Sequence, residues 1–73
     1  MIGVKLQTPL GVGTFQGWMS VLVNGVTVNK AMIRLPINAT TEPHRKDANC
    51  LTKGATASGL WIFAQSEVKA VTS

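Results

Sequence analysis

The stretch Val21-Leu22-Val23-Asn24-Gly25-Val26-Thr27-Val28 decides the fold class of this chain. Asn and Gly tolerate positive φ at both central positions of a type I′ turn, whose twist suits two paired strands. The β-branched residues on either side favour an extended, half-buried surface. Closing the turn at Asn24-Gly25 sets Val23 opposite Val26 and Val21 opposite Val28. Four valines then share one side of a hairpin in two cross-strand pairs. The chain is therefore β-rich.

Past the turn, the apolar residues fall at 26 and 28 and then at 33, 35 and 37. Alternation cannot change parity without an extra residue, so a bulge or bend is predicted near Asn29-Lys30-Ala31. Pro36 belongs at a strand edge or end. Upstream, a long second strand runs from Val12 to Val23, with Gly13 and Gly17 as points of strong bending or close backbone approach. Such bends let one strand serve two sides of a small closed sheet. Thr8-Pro9-Leu10-Gly11 reads as a turn, preceded by a short first strand in Val4-Lys5-Leu6-Gln7. Gly59-Leu60-Trp61-Ile62-Phe63 returns to strand character. Ala64 to Val68 reads as one helical turn, 3₁₀ in kind, with Ser66 satisfying a free backbone N–H. Val68-Lys69-Ala70-Val71 closes the sheet as a last short strand. Between these parts lies 38–59, polar apart from Cys50 and Leu51, and structureless loops of that length are functional or mobile.

At 73 residues the chain makes one domain, 1–73, near the lower limit for folding without staples. Oligomerisation is a common way for so small a chain to gain buried area. A hydrophobic fraction of 45% against 14% charged residues excludes a disordered polar tail. Cys50 is the only cysteine, so no intramolecular disulfide can form, which favours a reducing compartment. No apolar run approaches the ~20 residues of a membrane span, and Met1-Ile2-Gly3-Val4-Lys5 lacks the features of a signal peptide. The triplet Asn38-Ala39-Thr40 is then a chance match to a glycosylation acceptor. The expected location is the cytoplasm, or a virion if the chain is phage-encoded, with no membrane partner.

Thr8-Pro9-Leu10-Gly11-Val12-Gly13-Thr14-Phe15-Gln16-Gly17-Trp18 and Leu60-Trp61-Ile62-Phe63-Ala64-Gln65-Ser66-Glu67-Val68 resemble the small SH3-like barrels. In that class a glycine-marked strand entry and a one-turn helix before the last strand recur. The resemblance covers both ends of the chain but not 38–59. It implies an all-β, five-stranded, strongly bent barrel with one 3₁₀ turn and a long 38–59 loop, and it carries no function. A distant likeness extends to the type II plasmid dihydrofolate reductases, short SH3-like chains that build one active pore from four subunits. Their functional strand reads Val-Gln-Ile-Tyr. Laid on Leu60-Trp61-Ile62-Phe63, only Ile62 matches, and the polar contacts to ligand are lost.

The remaining chemistry is sparse. His44 and Cys50 fall short of the four ligands of a structural zinc site, and no third group orients them as a catalytic pair. Gly11-Val12-Gly13 is not followed by a helix that would turn it into a phosphate cradle. No metal, cofactor or catalytic residue is expected, so the chain is expected not to be an enzyme. Phe15 and Trp18, three apart, point to opposite faces unless a bulge intervenes at Gly17. Trp61 and Phe63 share a face, with Leu60 and Ile62 on the other. The net charge of +4 is compatible with an anionic partner.

The primary expectation is a non-enzymatic, self-associating barrel that binds DNA or RNA through the 38–59 loop. Arg34, Arg45, Lys46 and Lys53 would meet phosphates, with Trp18 or Trp61 as a stacking surface. Lys5, Lys30 and Lys69 would extend that set if they shared its face. The apolar surplus on the hairpin makes Val21, Val23, Val26 and Val28 the expected subunit contact. The rival expectation is a phage or mobile-element accessory protein, decoration or adaptor in kind, acting by protein–protein contact. A third is an oligomer that holds a small anionic ligand between subunits.

Overall fold

The computed structural model describes residues 2–54 and 57–71. It is all-β: five antiparallel strands, β1 (Lys5–Thr8), β2 (Gly11–Val23), β3 (Val26–Pro36), β4 (Ser58–Phe63) and β5 (Lys69–Ala70), with 3₁₀ turns at Glu42–Lys46 and Gln65–Glu67. The sheet order is β4-β3-β2-β1-β5. Strands β4 and β5 do not pair, so the strongly bent sheet stays open.

The Asn24-Gly25 turn forms as its chemistry requires, with φ of 51° and 81°. Val21 pairs with Val28 and Val23 with Val26. The bulge, however, is not in β3. That strand runs without interruption, and the register shifts on β2 between Phe15 and Gly17, where Gln16 is the extra residue. Gly17 takes a φ of +128°, a conformation that disfavours any side chain. The parity change at 28–33 arises because β3 is apolar on both sides. Ala31, Ile33 and Leu35 face the core, while Val26 and Val28 face away from it.

Directly paired residues point to the same side of a sheet, so the register defines two faces. The inner face carries Phe15, Ala31, Ile33, Leu35, Trp61 and Phe63, which form the core with Cys50. Gly13 lies on this face under Ile33 and Leu35, and a Cβ there would collide with both side chains and with the Arg34 carbonyl. Close backbone approach is thus its role. Because of the bulge, Phe15 and Trp18 share the inner face, with ring centroids 5.2 Å apart in an edge-on arrangement.

The described part of 38–57 is not structureless. Asn38 Oδ1 accepts the Thr40 and Thr41 N–H groups, and the fully buried Thr41 hydroxyl donates to the Pro36 carbonyl while accepting the Asn38 N–H. Further on, the Leu51 N–H donates to Leu60 O and the Ile62 N–H to Asn49 O. The segment therefore occupies the free edge of β4, which would otherwise offer a template for pairing. It also roofs the core, contributing Cys50, which is 3% exposed. Positions 55 and 56 lie outside the described residues. In the turn before β5, the free Ala64 N–H is satisfied by the Glu67 carboxylate at 3.0 Å, not by Ser66.

Candidate binding surfaces

The basic residues of 38–57 are largely occupied within the segment. Arg45 Nη1 donates to the Glu42 carboxylate at 2.8 Å and Nη2 to the Lys53 carbonyl at 3.3 Å. Lys53 Nζ donates to the Asp47 and Cys50 carbonyls at 2.6 and 3.0 Å. His44 Nδ1 meets Asp47 Oδ2 at 2.8 Å. These groups organise the roof, where Arg45 and Lys53 each already commit two donors. Lys46 alone among the loop cations makes no hydrogen bond with the described residues. Arg34 lies on β3, where its Nη1 reaches Ser58 Oγ at 3.2 Å.

Trp61 offers no face to a base. It is fully buried, and its indole N–H donates to the His44 carbonyl at 3.1 Å. The loop that was expected to bind a ligand instead covers this ring. Trp18 is the one exposed aromatic, 55% accessible.

The strand cations are better placed. Thr14 pairs with Lys5 on one side and Arg34 on the other, so these two cations lie on the outer face, about 10 Å apart across two strand spacings. Lys69 opposes Gln7, which opposes Val12, two residues from Thr14. Lys69 therefore joins the same face, as does Lys30 opposite Met19. No strand carries a carboxylate. From the sequence, Lys5, Lys30 and Lys69 join Arg34 only if they share its face, and the antiparallel register supplies that face.

The β2–β3 hairpin extends beyond the rest of the sheet. β1 pairs with β2 only as far as Thr14, and β4 with β3 only from Ala31 onward. Residues 18–30 thus form a two-stranded ribbon whose edges pair with no further strand among the described residues, the Asn29 carbonyl accepting only the Gln65 side chain at 3.4 Å. Its outer face carries Val21, Val23, Val26 and Val28, and its inner face Trp18 and Leu22 with Ser20, Thr27 and Asn29. Leu22 is 73% exposed and Val26 62%. Where the ribbon leaves the sheet, Val4, Leu6, Phe15, Trp18 and Val68 line an apolar groove of about 260 Å³.

Among the described residues no three His, Cys, Asp or Glu side chains gather as a metal site. No described helix is long and apolar enough to cross a membrane. No known protein family, curated protein or solved structure matches the chain.

Proposed function

We propose that this chain is a non-enzymatic binding module of the SH3-like barrel type that self-associates and acts by protein–protein contact through the β2–β3 ribbon. The observation that carries this reading is the ribbon itself: among the described residues neither edge pairs with another strand, four valines cover its outer face, and Trp18 and Leu22 stand exposed on an inner face shared with Ser20, Thr27 and Asn29. An isolated two-stranded hairpin is marginal in water, and contiguous exposed apolar surface marks contact sites. The barrel assignment draws on the strand order β4-β3-β2-β1-β5, the long β2 shared across the bend, and the single 3₁₀ turn between β4 and β5. Sedimentation across a wide concentration range tests the contact. Association that deepens with concentration is expected; a monomer at every concentration, with no partner recovered, would contradict it.

A second reading, binding of DNA or RNA, is favoured by one observation. Lys5, Lys30, Arg34 and Lys69 lie on one face of strands that carry no carboxylate. The phosphate contacts then move from the loop to the outer sheet face. Affinity for an oligonucleotide would fall steeply with salt, because neutralised phosphates release counterions. Salt-independent binding would exclude this reading.

A further inference from the structure

We infer that the inner face of the ribbon is completed by a second copy of this chain, with Leu22 of each copy seated on Trp18 in the groove of the other. This rests on the self-association proposed above and names its face and geometry.

The groove needs an occupant. The roof formed by 38–57 covers Trp61 but not the groove, so Trp18 stands half open with its edge-on contact to Phe15 as support. At about 260 Å³ and open to solvent, the groove is smaller than the ~300–1,000 Å³ clefts that enclose small molecules. It suits an aliphatic side chain presented by a protein.

The chain itself presents one. Leu22 lies on the same face as Trp18, four residues along β2, or about 13 Å. It is the most exposed of the large hydrophobic side chains described. A two-fold axis crossing the strands over Ser20 would set the inner faces of two ribbons together with their β2 strands antiparallel. Isologous contact then places each Leu22 over the other copy's Trp18. At that axis Ser20 Oγ donates to Asn29 Oδ1 at 2.9 Å, and the Asn29 side-chain N–H groups are left to pair across the axis with the second copy or with water.

Charge disfavours stacking the whole outer faces. Each copy carries +4, yet residues 6 to 29 contain no charged side chain. Lys5, Lys30, Arg34 and Lys69 all lie on the outer face. Stacking outer faces would bring these cations together, whereas stacking the inner faces of the ribbons keeps them apart.

Trp18 reports the contact directly, because Trp61 is buried in the single copy and contributes a constant signal. The experiment follows sedimentation and tryptophan emission, with acrylamide quenching, over the same concentration series. The full chain is compared with Leu22→Lys and Val26→Lys, both at exposed positions that leave the core intact. Association of the unaltered chain should shift emission to the blue and reduce quenching. Leu22→Lys should weaken association at least tenfold and leave Trp18 quenchable throughout, while Val26→Lys changes neither by more than about threefold. Association without a change at Trp18 would overturn this geometry while leaving self-association standing. So would dissociation by Val26→Lys but not by Leu22→Lys. A monomer at all concentrations would overturn both.

Discussion

The ribbon 18–30 and the roof 38–57 are opposites in composition and in what they leave free. The roof is largely polar, yet most of its polar groups are tied to one another and to the β4 edge. Thr41 is fully buried, and Arg45 and Lys53 hold carbonyls of the same segment. The ribbon is regular β structure without a charged side chain before Lys30, yet its apolar side chains and strand edges meet solvent. What is free to bind is decided by which backbone and side-chain groups are already satisfied, not by how polar a segment reads. The segment that looks like a binding loop has most of its polar groups engaged, and the segment that looks structural is the candidate contact.

That contrast can be broken at several points. The largest effect is expected at the roof's anchor. Trp61→Ala removes the ring that the roof covers and should cost about 3–5 kcal/mol in denaturant unfolding, a large part of the stability of so small a domain. Thr41→Val keeps the shape but leaves the Pro36 carbonyl and the Asn38 N–H without their partner. A loss of about 1–3 kcal/mol is expected by the same measurement; a neutral result would mean the roof is not held there.

Smaller effects separate the two sets of cations. In oligonucleotide titrations, Lys5→Ala or Arg34→Ala should each reduce the salt slope by about 1. Lys53→Ala should leave that slope unchanged and instead loosen the roof. The reverse pattern would return the contact to the loop. The smallest effect belongs to the ribbon: Val26→Thr should alter unfolding free energy by less than about 0.5 kcal/mol, since no packing is lost in the single copy.

Much of the fold could be read from local chemistry. Asn24-Gly25 specifies its own turn, Thr8-Pro9-Leu10-Gly11 closes β1 onto β2, and alternation over Gly59 to Phe63 places Trp61 and Phe63 together. The bulge falls on β2 and not near Asn29-Lys30-Ala31, because parity records a change of face without saying whether the strand turns over or both its sides are apolar. The spacing of Phe15 and Trp18 around Gly17 held the better clue, since only an inserted residue lets both aromatics reach one side. The roof escaped sequence reading because its order comes from side chains capping nearby backbone groups, as Asn38 and Thr41 do. Such capping carries no periodic signature. The burial of Trp61 followed from that roof, and so its proposed role as a stacking surface fell with it. The outer row of cations needed a register that no single strand reveals.

Amide hydrogen exchange at increasing protein concentration tests the division between roof and ribbon most directly. The Leu51 and Ile62 amides, bonded across the roof and β4 edge, should be equally protected from dilute to concentrated solution. Amides of Trp18 to Val23 and Val26 to Lys30 should gain protection as concentration rises. Ribbon amides that exchange at the same rate throughout, or roof amides that exchange as in an unfolded chain, would contradict it.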